Sequence, residues 1–116
     1  MREVCFLIGE NDAVLWSDAS VSPIALPDSR ARWEAIWSRR AALVEIAHSH
    51  PVGPNAFSAE DESTMAALRQ ALGRELWFSV VAPGEMIRRI AGGDAVVHNE
   101  PWWAALLRSA SGMKSE

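Results

Sequence analysis

Two histidines and an aspartate stand at a spacing that suits a metal ion. The segment His48-Ser49-His50-Pro51 is followed by Asp61, with ten residues between His50 and the aspartate. Residues i and i+2 of a strand point to the same face, so both imidazoles can reach one ion. Two histidine nitrogens and one carboxylate oxygen suit Zn²⁺, and three protein ligands leave a fourth position open for water. The sequence therefore predicts a catalytic site with one Zn²⁺ per chain.

Each of these residues also has an ordinary structural interpretation. A His-x-His pair at the end of a strand is often solvated or hydrogen-bonded. Ser58, three residues before Asp61, makes a good helix N-cap, and Asp61 favours the positive end of a helix dipole. The combination favours the metal site, because the structural interpretation needs several coincidences at once.

The flanking sequence predicts the elements that must position this group. Residues 4–8, which end at Gly9, and residues 13–16 are predicted strands of a hairpin, joined by the turn residues 10–12. Residues 43–47 form a predicted core strand that ends at the histidines, and a helix over 59–72 begins after Ser58 and is closed by Gly73. The remaining predictions are helices over 30–40 and 102–109 and strands over 76–82, 86–91 and 95–98.

This order of elements predicts a single α/β (α+β) domain, in which helices flank one curved mixed β-sheet. The chain has 116 residues, of which 49% are hydrophobic, enough for one core without disulfides. The domain is expected over residues 1–108. Residues 109–116 are small and polar and are predicted to be a disordered tail.

The segment His48-Ser49-His50-Pro51, with Ser58 and Asp61, resembles the JAMM signature of His-x-His-Pro followed by Ser-x-x-Asp. That signature belongs to the JAMM (MPN-plus) zinc metalloprotease family, here of the prokaryotic JAB-domain type. The resemblance covers about residues 2–98 and implies a cytidine-deaminase-like JAB/MPN sandwich. It also implies a hydrolase that cuts amide or isopeptide bonds at the C-terminus of ubiquitin-like proteins.

The resemblance assigns a role to each residue of the motif. His48, His50 and Asp61 would bind zinc, Ser58 would hold the oxyanion, and an upstream glutamate would handle the protons of the water. That glutamate precedes a segment like Cys-Gly-x-Leu-x-Gly in the family. Here Glu3 precedes Val4-Cys5-Phe6-Leu7-Ile8-Gly9, which is one residue shorter and lacks the first glycine.

Glu3 is therefore the predicted general base, and a surface carboxylate near the terminus is its structural alternative. Glu10 is the second candidate for the base, since it follows the strand directly. Glu45 shares a strand face with Leu43 and Ala47 and is a less favoured base.

The composition of the chain disfavours two classes of binding partner, nucleic acids and membranes. The net charge is −4 and the 11 Lys and Arg residues are scattered, which disfavours a nucleic-acid partner. No apolar run approaches the length of a membrane span, so no membrane partner is expected. Cys5 is the single cysteine, which excludes an internal disulfide and fits a reducing compartment. The expected location is the cytoplasm.

The resemblance also points to a substrate, a ubiquitin-like or sulfur-carrier protein with a Gly-Gly tail. Such tails bind mainly through backbone contacts, by adding a strand to a sheet edge. The rival function is a non-catalytic MPN-type zinc-binding scaffold for protein–protein interaction. Scaffolds of that kind usually lose the His, Ser or Asp of the motif, and this chain keeps all four.

Six tryptophans are many for a chain of this size. Trp33, Trp37 and Trp77 fall at helix or strand positions that predict core packing. Trp102 and Trp103 are adjacent and cannot share one helix face, so at least one is expected at the surface. Packing of the last helix is favoured for this pair, and a homodimer patch or a groove for the substrate tail are the alternatives.

Overall fold

A computed structural model describes residues 1–91 and 93–113, and these form a six-stranded mixed sheet with three helices. The sheet has the order β2-β1-β3-β4-β5-β6. The strands are β1 (Val4–Gly9), β2 (Val14–Ala19), β3 (Leu43–Ser49), β4 (Trp77–Ala82), β5 (Glu85–Ile90) and β6 (Gly93–Val96). The helices are α1 (Arg30–Ser38), α2 (Ala59–Leu72) and α3 (Trp102–Ser111).

The predicted fold class is confirmed. The described residues make one α+β domain whose radius of gyration is 12.9 Å, close to the value of about 13 Å expected for a single domain of this length. β3 and β4 run parallel, and α2 forms the crossover between them. The other four strand pairs are antiparallel, so the sheet is mixed.

β1 is buried along its whole length. It pairs antiparallel with β2 through the predicted hairpin and antiparallel with β3 on its other side. Every residue from Val4 to Gly9 is buried, because helices cover both faces of the sheet. This explains why the sequence shows a continuous apolar run here rather than an alternating one.

The two faces carry separate cores. Cys5, Leu7 and Ile46 face the side that α1 and α2 cover. Phe6 and Ala47 face the other side, where α3 packs. The histidines therefore emerge from a strand that is fixed from both sides, which keeps their positions rigid.

The C-terminal helix extends beyond the predicted domain end at residue 108. α3 continues to Ser111, and Met113 is buried, whereas the prediction placed a disordered tail from residue 109. Ser111 accepts a hydrogen bond from the Arg2 backbone N–H and its hydroxyl donates to the Arg2 carbonyl. These long-range bonds order small polar residues that local sequence would leave free. Residues 114–116 of the predicted tail lie outside the described residues.

The tryptophans divide between core and surface. Trp103 is fully buried against the sheet, and its neighbour Trp102 is 60% exposed, as their adjacency requires. The core prediction is wrong for Trp37 and Trp77, which are 54% and 39% exposed. Each lies under a guanidinium, Arg40 at 4.0 Å and Arg88 at 4.8 Å from the ring centre. Stacking of this kind covers an aromatic face at the protein surface without burying it in a core.

Within residues 1–91 and 93–113, no helix combines the length and the apolar character that crossing a membrane requires.

Candidate metal centre

Three elements meet at one end of the sheet and deliver the residues of the site. Cys5 on β1 pairs with His48 on β3, and the same register extended by two residues sets Glu3 across from His50. Alternate residues of a strand share a face, so these side chains lie on the face that α1 and α2 cover. Asp61, in the first turn of α2, reaches the same point from the helix.

The proposed ligand atoms lie at the spacing of a small coordination sphere. The Nε2 atoms of His48 and His50 are 3.0 Å apart. Asp61 places Oδ1 3.2 Å from His48 Nε2 and Oδ2 3.4 Å from His50 Nε2. Ligands about 2.0–2.1 Å from a tetrahedral zinc ion are about 3.3 Å from one another. The donor set therefore fits an ion such as Zn²⁺ in both chemistry and dimensions.

His50 is held in the tautomer that a metal ligand needs. Its Nδ1 lies 2.9 Å from the Pro54 carbonyl oxygen, which can only accept a hydrogen bond. The proton of a neutral His50 ring therefore sits on Nδ1, and Nε2 presents its lone pair towards His48 and Asp61. Burial lowers the pKa of His50, but the protonated ring can donate to both Asp61 and the Pro54 carbonyl, and these interactions outweigh burial and raise the pKa overall.

Asp61 is ionised in this setting. Burial by itself would raise the pKa of its carboxyl. The imidazoles of His48 and His50 beside it and a hydrogen bond from the Ser58 backbone N–H more than offset that effect and hold the pKa well below its usual range. A carboxylate that stays charged at all working pH values suits a cation ligand.

Glu3 lies beside the two imidazoles. It is only 6% exposed, and its carboxylate and the two histidines offer ligand atoms within 4.8 Å of one another. Burial raises the pKa of Glu3, and the nearby His50 and His48 lower it in part. Asp61 approaches the imidazole nitrogens more closely, so Glu3 suits a role next to the ion rather than the role of third ligand.

The other two candidates for the base, Glu10 and Glu45, lie away from the histidines. Glu10 is exposed at the far end of β1, roughly 20 Å from Glu3 along the strand. Glu45 is three residues before His48 and faces the opposite side of the sheet, where it is buried against Arg88 at 2.9 Å and Ser79. The geometry thus favours Glu3 over both as the base.

Ser58 caps α2 and keeps a proton to donate. Its Oγ accepts from the Asp61 N–H at 3.0 Å, while the Asp61 carboxylate accepts from the Ser58 N–H at 2.8 Å. This capping box is the structural interpretation of Ser58. Because Oγ only accepts in it, the hydroxyl hydrogen of this exposed residue remains free to point at a ligand.

Two variants of Ser58 separate capping from catalysis. We expect Ser58→Ala to lose about 1 kcal/mol of stability, whereas Ser58→Gly loses only a few tenths, since glycine is a better N-cap than alanine. Both lack the hydroxyl, so both should lose turnover by about 100-fold while keeping bound metal. Urea unfolding, metal analysis and turnover measure the three effects. Turnover that follows stability instead would mean that Ser58 only caps the helix.

Three residues that the sequence did not single out support the site. Ser49, between the two histidines, is fully buried and its Oγ accepts from the Val4 N–H at 2.8 Å. The ring of Phe57 lies 6.4 Å from that of His48, and the Arg89 guanidinium lies 4.8 Å from the centre of the Phe57 ring. Arg89 also pairs with Glu62 of α2, which ties the loop before Ser58 to the sheet. None of these contacts could be predicted from a local sequence pattern, because each joins residues that are distant in the sequence.

Ser49 anchors the start of β1 and therefore Glu3. We expect Ser49→Ala to lower the free energy of unfolding by about 1–3 kcal/mol, because a buried backbone donor would lose its acceptor. Turnover should fall while bound metal is kept. Urea unfolding with Ser63→Ala, an exposed serine on α2, as the control tests this. Equal stability of the two variants would contradict the anchoring role.

The site opens into a groove of about 430 Å³ between the loop at residues 24–28 and the start of α2. Glu3, His50, Ser58 and Asp61 all line it. A peptide laid along this groove would pass all four side chains.

Comparison with known protein families identifies a family that matches most of the chain. A family model described as prokaryotic homologs of the JAB domain matches residues 3–103, a range that includes Glu3, the two histidines, Ser58 and Asp61. A search of curated proteins gives no match.

Proposed function

Because this chain belongs to the family of prokaryotic JAB-domain homologs, which includes metalloisopeptidases, we propose that it is a zinc-dependent metallopeptidase. It hydrolyses an amide or isopeptide bond at the C-terminus of a ubiquitin-like protein of the sulfur-carrier type. The observation that supports this best is the convergence of His48, His50 and Asp61 at ligand spacing with the buried Glu3 beside them.

The residues of the chain divide the chemistry among them. His48, His50 and Asp61 would hold the ion, which when bound supplies a Lewis acid and an acidified water with a pKa of about 7. Glu3 takes a proton from the attacking water and gives it to the leaving nitrogen. Its raised pKa brings it closer to the working range of a general base. The Ser58 hydroxyl donates to the developing oxyanion.

The groove supports an extended substrate tail. It runs past His50, Asp61 and Ser58 and is open to solvent, so a narrow segment can enter without moving a helix. A Gly-Gly terminus is narrow because glycine has no side chain, and backbone contacts would supply most of its affinity.

The test is cleavage of a defined carrier protein. The zinc-loaded chain is incubated with a sulfur-carrier protein that carries one extra residue after Gly-Gly, or an isopeptide-linked amine, and products are weighed by mass spectrometry. We expect release of a carrier that ends in Gly-Gly, no release after chelation, and release about 100–10,000-fold slower by the Glu3→Gln variant. Stable zinc binding without cleavage of either linkage would contradict the proposal and favour the non-catalytic zinc-binding scaffold.

A further inference from the structure

An apolar cavity lies between α1, α2 and the sheet, directly behind the site. Its volume is about 80 Å³. Two of the proposed ligands, His48 and Asp61, form part of its wall. The rest of the wall is mainly apolar and belongs to the buried core, with Cys5, Ile36, Met65, Leu68 and Phe78 as its deepest members.

The cavity adjoins the groove. Leu26, Asp28, Asp61 and Thr64 line both spaces, so they form the rim that a side chain would cross. A group held in the groove beside Asp61 is therefore next to the cavity.

The lining decides which chemistry the cavity accepts. A space of about 10–15 Å³ on this measure holds one water, so the cavity would take several waters or one small side chain. Water finds few hydrogen-bond partners between Ile36, Leu68 and Phe78, whereas an aliphatic side chain gains from burial there. A carboxylate would lose hydration and would also meet the negative charges of Asp28 and Asp61 at the rim. The guanidinium in the wall, that of Arg32, is already paired with Asp18 at 3.0 Å.

We propose that this cavity binds the aliphatic side chain, of about the size of leucine, of the residue that leaves on the amine side of the scissile bond. This assignment rests on the proposed function. In a Gly-Gly-tailed substrate the acyl side ends in glycine and has nothing to place in a cavity. The occupant next to the ligands must then come from the other side of the bond. The enzyme would accordingly prefer to release an apolar residue.

Methionine methyl signals test the pocket without turnover. The chain has four methionines; Met65 lines the cavity, while Met86 lies in the core on the opposite face of the sheet. The Glu3→Gln chain, labelled at the methionine methyl groups, is titrated in zinc buffer with the tripeptides Gly-Gly-Leu and Gly-Gly-Gly. We expect Gly-Gly-Leu to shift the Met65 signal, Gly-Gly-Gly to leave it unchanged, and Met86 to stay constant with both. An unchanged Met65 signal, or equal shifts with the two peptides, would overturn the pocket.

Selectivity of cleavage tests it independently. With carrier proteins ending in Gly-Gly-Leu and Gly-Gly-Gly, we expect kcat/KM for release of leucine to be at least about tenfold higher than for release of glycine. Ile36→Phe, which fills the cavity, should erase the preference. If that variant does not fold, Met65→Ala, which enlarges the cavity, should move the preference from leucine to phenylalanine.

The two proposals fail in different ways. If no carrier is cleaved but Met65 responds to leucine alone, the peptidase proposal fails and the cavity remains a binding site for an aliphatic side chain. If carriers are cleaved with equal efficiency and Met65 does not respond, the pocket is overturned and the peptidase stands.

Discussion

Replacing His48 with alanine is expected to remove the metal and all turnover. The Nε2 atom of His48 lies within 3.2 Å of both His50 Nε2 and an Asp61 oxygen. Its loss therefore leaves only two of the three proposed ligand atoms. Loss of an outer-shell partner costs a metal site about 10–100-fold in affinity, and loss of a direct ligand should cost more. Zinc titration against a competing chelator, with parallel turnover measurements, gives both values.

The chain offers a matched control for this variant. His98 is the third histidine, and it is exposed and outside the cluster that Glu3 forms with the two imidazoles. His98→Ala should therefore bind zinc as tightly as the unmodified chain. A His48→Ala protein that keeps one tightly bound zinc would refute the ligand assignment.

The second large effect is expected from Glu3→Gln. Glutamine keeps the size and most of the packing of this buried side chain but cannot take up a proton. General acid–base catalysis is typically worth about 100–10,000-fold, so turnover should fall by that factor while bound zinc is unchanged. Turnover by mass spectrometry and zinc by elemental analysis, on the same sample, measure the two quantities.

Glu10→Gln is the control, because it makes the same chemical change at the other end of β1. We expect it to have no effect on turnover, since Glu10 is exposed and distant from the imidazoles. Full activity of Glu3→Gln with loss of activity in Glu10→Gln would reverse the assignment of the base.

Much of the fold was predictable because its signals are local. The turn at residues 10–12, the N-cap Ser58 and the C-cap Gly73 mark element ends by side-chain and backbone chemistry within a few residues. Strand periodicity alone predicts that the two histidines, at i and i+2, point to the same face of the sheet. The family expected from the motif is also the family that the chain belongs to.

What could not be predicted depends on contacts between distant residues. The resemblance favours Glu3 over Glu10 as the base, but the distance of either carboxylate from the histidines depends on the register of β1 against β3, which no local pattern encodes. Helical spacing puts Trp33 and Trp37 on the same side of α1 but does not tell how far the buried face extends, so core packing is predicted for Trp37 although it is 54% exposed. The order of Ser111 depends on Arg2, 109 residues away.

The most direct test of the metal centre is elemental analysis of the purified chain before and after chelation, followed by re-addition of zinc. We expect about one zinc per chain, its removal by the chelator, and recovery of both zinc and carrier cleavage on re-addition. A chain that takes up no metal even in excess zinc would contradict the metal centre and, with it, the proposed hydrolase.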